Sequence, residues 1–289
     1  MPDVTGLVEA RIQRPHAIAE AAAARRRPSS LFGEHGRMMI IAADHPARGA
    51  LRAGADPLAM ANRADLLDRI CTALARPGVN GVLGTPDVLE DLLLLGVLDD
   101  KVVIGSMNRG GLAGTSFEID DRFTAYDPGS IAAAGLSGGK MLLRIDPDDA
   151  GTVATLQACG RAIGGLAGHR LMAMVEPFIA HRVDGRVRND LSAEAMIRAV
   201  TVAAGLGPTS AYTWLKVPVV ADMERVMAAT TLPALILGGE VPADPEATYA
   251  RWAKALGLPT VQGLVIGRSL LYPPGGDVAG AVDRAVSLL

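Results

Sequence analysis

Short apolar runs alternate along this chain with longer stretches in which apolar residues recur every three or four positions. The runs are MMIIAAD (38–44), NGVLG (80–84), KVVIG (101–105), GKMLLRI (139–145), RLMAMVE (170–176), YTWLKV (212–217), PALILGG (233–239) and GLVIG (263–267). Most are continuously apolar, which is how parallel strands read when helices cover them. Between them lie PLAMANRADLLDRICTALA, DDAGTVATLQACGRAIGGLAG, LSAEAMIRAVTVAAGL and DPEATYARWAKALG, each amphipathic with helical spacing and commonly ended by Gly.

Alternating strands and helices predict a parallel sheet with right-handed crossovers. Eight repeats favour closure into a (β/α)8 TIM barrel over an open doubly wound sheet. No glycine-rich dinucleotide fingerprint follows the first strand, where an open nucleotide-binding sheet would carry one. Residues 1–36 read as an N-terminal helical extension broken at RRRPSS, and 37–289 as the barrel. The stretch from Ser106 to Gly138 reads as a loop plus helix over the active face.

Composition narrows the partners. The 289 residues carry a formal charge of −3, which speaks against nucleic acid or a membrane surface. Arg25, Arg26 and Arg27 read as a solvated cluster. Aromatics are only 3%, so the core must be aliphatic. Cys71 and Cys159 show no metal or redox spacing and suit a reduced cytoplasm. The start MPDVTGLVEARIQ has no basic leader followed by an apolar run, and LEDLLLLGVLDD is too short and acid-flanked to span a bilayer. A soluble, cytoplasmic protein is expected.

In such a barrel the chemistry sits at the C-terminal ends of the strands. Four ionisable residues fall on or at those ends: Asp44, Lys140, Glu176 and Lys216. A buried charge without a partner is costly, so four converging on one mouth suggest a polar site. Lysine usage sharpens this reading. The only lysines are Lys101, Lys140, Lys216 and Lys254, and every other basic residue is arginine. A lysine kept on an interior strand suggests that an amine is needed, because a guanidinium cannot condense with a carbonyl. Lys101 begins its strand and Lys254 lies on an amphipathic helix, and both read as surface residues. Lys140 and Lys216 are the candidates.

At these positions the sequence resembles the class I aldolases of the deoxyribose-phosphate, tagatose-bisphosphate and archaeal-type fructose-bisphosphate aldolase group. The resemblance rests on AADHPARGAL, GGKMLLRIDPDD, MVEPFIA, WLKVPVV, LGGEV and VIGRSLLY, in that order over most of residues 38–275. It implies a Schiff base on Lys216 and a carbon–carbon lyase acting on a phosphorylated sugar or keto-deoxy sugar. A free lysine titrates near 10.4, so a nucleophile at neutral pH must be shifted down by roughly three units, about 4 kcal/mol. Burial and a neighbouring cation, for which Lys140 is placed, both act that way. Glu176 is the expected acid/base and Asp44 the group that polarises substrate hydroxyls, with His45 beside it; Arg48 and Arg144 are further candidates for binding substrate. Gly238, Gly239, Gly267 and Arg268, after the seventh and eighth predicted strands, are the expected phosphate site, although Glu240 follows the first pair directly.

Three departures from the resemblance leave the substrate open. His45-Pro46 stands where tagatose-type relatives carry Gln-Arg, Arg144 stands where they tend to have Tyr, and no counterpart of the archaeal proton-donor tyrosine is evident. No cofactor is called for. The histidines His16, His35, His45, His169 and His181 are scattered without ligand spacing, so no metal site is expected. The partner is a small sugar phosphate, and the Ala- and Leu-rich helix faces together with the resemblance suggest a homo-oligomer. The alternatives are a sugar-phosphate isomerase or epimerase on the same barrel and a catalytically silent sugar-phosphate-binding barrel.

Overall fold

The computed structural model describes residues 2–289. Its strands are β1 (Met38–Ala42), β2 (Gly81–Gly84), β3 (Val102–Ser106), β4 (Gly138–Ile145), β5 (Met172–Val183), β6 (Arg186–Asp190), β7 (Thr213–Pro218), β8 (Ala234–Leu237) and β9 (Val261–Ile266). They pair in the order β4-β3-β2-β1-β9-β8-β7-β5-β6, and β4 also pairs with β5, so eight parallel strands close into a barrel. The TIM barrel read from the sequence is the fold. The ninth strand, β6, turns back antiparallel on β5. The sequence reading missed it and ended the fifth strand at Glu176, whereas β5 runs on to Val183. The apolar run resumes after Glu176 with Pro177, Phe178, Ile179 and Ala180, and the strand turns polar and exposed only from His181, in the outer part of the hairpin.

Helices α1 (Val4–Gln13) and α2 (Ala17–Ala24) precede the barrel. Helices α3 (Arg63–Leu74), α4 (Pro86–Leu94), α5 (Pro128–Ala133), α6 (Gly151–Gly168), α7 (Ala193–Ala204), α8 (Met223–Met227), α9 (Pro245–Leu256), α10 (Arg268–Leu271) and α11 (Val278–Val286) connect or follow the strands. Side-chain caps fix several starts: Asn62 accepts from the Asp65 N–H, Ser192 from Ala195, and Asp244 from Ala247 ahead of Pro245. Among the described residues no helix is long and apolar enough to cross a membrane.

Strand alternation divides the core in two. Met39 and Ile41 face outward into the large cluster beneath the helices, while Met38, Ile40 and Ala42 join Val102, Ile104, Met172, Met174, Leu235 and Val265 inside the barrel. At Gln262–Gly263 the β8–β9 register shifts by one residue. Gly263 has φ +148°, and a Cβ there would lie 2.0 Å from the Met38 carbonyl oxygen, so only glycine fits.

The N-terminal segment closes the bottom of the barrel. Leu31 packs on the interior cluster and Phe32 lies against Trp214, with ring centroids 6.0 Å apart. Here the expectation of a solvated arginine cluster is corrected for Arg25, while Arg26 and Arg27 are exposed as expected. Arg25 is buried and donates to the carbonyls of Leu98, Lys101 and Gly135, satisfying backbone groups that helix and sheet leave open. Lys101 is not a plain surface residue either, because its ammonium donates to the Val79 carbonyl at 2.5 Å.

Candidate active site

The inward alternation reaches the barrel mouth as charge. On β1 the series Met38, Ile40, Ala42 continues to Asp44, and on β5 Met172 and Met174 lead to Glu176. Lys140 lies on β4 and Lys216 on β7. All four side chains are nearly or fully buried, and the structure brings them together at the floor of one cavity of about 390 Å³.

They form a chain of contacts. Asp44 Oδ2 stands 3.1 Å from Lys140 Nζ, Lys140 Nζ 2.5 Å from Glu176 Oε2, and Glu176 Oε1 3.1 Å from Lys216 Nζ. Opposite charges therefore alternate along the floor, which is what makes burial of all four tolerable. Burial by itself would raise the Glu176 carboxyl, but Lys140 and Lys216 outweigh it and hold it at about 2. Asp44 behaves alike: burial opposes ionisation, yet Lys140, Arg109 and Lys216 keep its carboxyl well below the ordinary range. Burial pulls the Lys140 ammonium down to about 8, with Lys216 and Arg109 assisting and Asp44 and Glu176 opposing. Both carboxylates are thus ionised at neutral pH, and Lys140 is poised to give or take a proton.

Sequence reasoning missed Arg109. Its Nη1 donates to the Asp44 carbonyl at 2.8 Å, its Nη2 lies 3.0 Å from Asp44 Oδ2, and its Nε donates to the Asn108 carbonyl. It sits in an irregular loop, where no periodicity marks it. Ser106, whose hydroxyl donates to Asp44 Oδ2 at 3.1 Å, had a signal: it continues the inward series Val102, Ile104 on β3.

The segment between β3 and α5 covers part of the mouth, with Arg109, Ala113 and Glu118 lining the cavity. The helix expected over the active face lies elsewhere, since α5 packs outside the barrel against α6 and β4. The reason is chemical. Arg48 donates to the carbonyls of Gly111 and Asn108 and meets the Asp121 carboxylate at 2.5 Å, while Arg144 meets the carboxylate and carbonyl of Glu118. Arg48 and Arg144 border the cavity, but these donors hold the covering loop in place.

His45, Gly238, Gly239, Gly267 and Arg268 line the other side of the cavity. In the ring of strands β8 and β9 stand across from β3 and β4, so this corner faces Arg144. Burial, reinforced by Arg268 and Lys216 against Asp44, lowers His45 to about 3, and its ring is neutral. His45 Nδ1 and Arg268 Nε are buried without a hydrogen-bond partner, and both border the cavity. Arg268 Nη1 contacts Glu240 Oε1 at 2.8 Å.

The Cgl0159-like family model matches residues 36–286. The chain belongs to the Cgl0159-like family. A crystal structure of Cgl0159 from Corynebacterium glutamicum is 54% identical, with a TM-score of 0.96 over 99% of this chain and 96% of that one. Two more distant structures share the barrel. A Schiff-base-forming fructose-1,6-bisphosphate aldolase superposes with a TM-score of 0.63 at 17% identity, covering 94% of this chain and 99% of that one. An archaeal fructose 1,6-bisphosphate aldolase gives 0.65 at 18% identity, covering 94% and 98%. At that identity the likeness is one of fold. No curated protein matches the chain. For this Cgl0159-like protein the chemistry must be argued from the site itself.

Proposed function

We propose that this Cgl0159-like protein is a class I aldolase that cleaves or forms a phosphorylated sugar or keto-deoxy sugar through a Schiff base on Lys216. One observation carries the reading: two buried lysines share a single ionised glutamate at the floor of one cavity at the barrel mouth. Two amines bridged by a carboxylate serve iminium chemistry, which needs one amine as nucleophile and a second group to move protons beside it.

Lys216 is the nucleophile. It contacts one carboxylate, whereas Lys140 is held between two. Once Lys216 has passed a proton to the Glu176 carboxylate that it contacts, its amine adds to the substrate carbonyl, and the proton shed by the attacking nitrogen goes to the carbonyl oxygen to give the carbinolamine. The Lys140 ammonium, at about 8, supplies the proton with which that hydroxyl leaves as water, and the iminium remains. Glu176 bridges the two nitrogens and relays protons between them. In the cleavage direction a carboxylate accepts the proton of the substrate hydroxyl as the carbon–carbon bond breaks, and its electron pair passes into the iminium to give the enamine. Asp44, fixed by Arg109, Ser106 and Lys140, binds the substrate hydroxyls, and neutral His45 offers them a hydrogen bond. The terminal phosphate lies against Arg268 and the Gly238–Gly239 and Gly267 turns, where glycine lets backbone N–H groups approach an anion.

Borohydride trapping tests the proposal. The protein is incubated with dihydroxyacetone phosphate, and separately with acetaldehyde, then reduced and mapped by mass spectrometry. The expected adduct is on Lys216 and is lost in Lys216→Arg, which keeps the charge but cannot condense. An adduct on Lys140 would exchange the two lysines' roles. No adduct with any carbonyl donor would overturn the aldolase reading in favour of an isomerase or a silent binding barrel.

A further inference from the structure

The phosphate corner assigned above carries its own anion. Glu240 follows the Gly238–Gly239 turn, borders the cavity, and places Oε1 2.8 Å from Arg268 Nη1. The two partners differ sharply in their surroundings. The Arg268 side chain is 12% exposed and the Glu240 side chain 68% exposed, so the cation is built into the wall while the carboxylate reaches in from solvent. Arg268 Nε, on the same guanidinium, is buried and has no partner, so Glu240 leaves the donor set of this arginine partly unused. Space lies open beside the turn that carries Glu240: Gly239 has φ +70°, and a Cβ there would meet nothing within 4 Å.

From these contacts we infer that Glu240 is a displaceable counter-ion and a specificity-determining residue, occupying Arg268 in the free protein and yielding it to the terminal anion of the substrate. This rests on the phosphate placement in the proposed function and extends it. Binding at this corner is an exchange of one anion for another. A group of single charge gains little over the resident carboxylate. A phosphoryl group of higher charge with several acceptor oxygens gains more, because its oxygens can engage two donors of the guanidinium fork at once where one Glu240 oxygen holds only Nη1. Glu240 thereby selects against weak and singly charged anions that would otherwise collect on Arg268. An exposed ion pair is a shallow competitor, so the discrimination is modest and release of the phosphorylated product is eased.

The test is the affinity of the full-length protein for inorganic phosphate, measured by titration calorimetry on wild type, Glu240→Gln and Glu240→Ala. Glu240 is exposed, so neither variant disturbs a packed core. The expected result is tighter phosphate binding in both variants by about two- to fivefold, the range of a solvent-exposed ion pair. A second readout is the concentration of dihydroxyacetone phosphate that half-saturates borohydride trapping on Lys216, which falls by a similar factor while the saturating extent is unchanged. Equal or weaker phosphate binding in the variants would overturn the inference, weaker binding meaning that Glu240 helps to hold the anion. No phosphate binding by any of the three proteins would overturn it as well, by removing the anion corner. A Lys216 adduct with acetaldehyde would still support the Schiff-base reading in that case, so the two failures are distinguishable.

Discussion

The Glu176 carboxylate meets the Lys140 ammonium at 2.5 Å through Oε2, which leaves Oε1 for Lys216 at 3.1 Å. One buried anion thus fixes the spacing of two amines that would otherwise repel each other, and it provides the shortest path by which a proton can pass between them.

Glu176→Gln keeps the shape and removes the charge. Breaking a buried ion pair from one side costs about 3–5 kcal/mol, which is read as a shift in the denaturation midpoint. Initial trapping on Lys216 is expected to slow by about 10²-fold or more, the usual contribution of a positioned acid/base. Trapping at wild-type rate in a folded variant would remove Glu176 from the relay.

The same carboxyl governs acid stability. Its folded value of about 2 lies below the ordinary 4.5, so the stability it contributes is complete above about pH 4.5 and is lost as pH falls towards 2. Unfolding followed across that window is expected to steepen for wild type and to flatten for Glu176→Gln.

Lys140 gives a slope of the same sign in a higher window. Its folded value of about 8 lies below the ordinary 10.5, so between those values the unfolded chain binds more protons and stability from this group rises with pH. In catalysis the same group is expected to produce a limb near pH 8 in the rate of iminium formation. Lys140→Arg, which stays protonated, abolishes that limb while leaving the adduct on Lys216. A limb that persists in the variant would assign it to another group.

Asp121→Asn tests the cover of the site. It leaves Arg48 buried without a counter-charge at the base of the loop that carries Arg109 and Glu118. The expected effects are a loss of about 3–5 kcal/mol of stability and poorer half-saturation by the carbonyl donor, with a smaller change in the saturated rate. A loss of stability with no change in half-saturation would make the pair purely structural.

Arg25→Met is the matching control at the other end of the barrel. It leaves three backbone carbonyls without their charged donor, costing about 1.5–3 kcal/mol for each bond of this kind that water does not replace. Trapping per folded molecule is expected to equal wild type.

The sequence by itself determined the barrel, because eight apolar runs separated by amphipathic stretches leave few other ways to bury so much aliphatic surface. It also singled out Asp44, Lys140, Glu176 and Lys216, because they are charges that fall on or at the ends of apolar runs, where a barrel builds its chemistry and an unpaired buried charge would be costly. It could not reveal that Glu176 alone bridges both lysines, since strands far apart in sequence are brought together only by closure of the sheet. It was silent on Arg109, Glu118 and Asp121, which sit in an irregular loop whose shape is set by the buried charges it meets, and it misjudged Arg25, whose burial follows from carbonyls that the barrel leaves unpaired. Periodicity records which face a residue takes within its own element. Which charges become neighbours is a property of the closed barrel, and only the tertiary structure decided it.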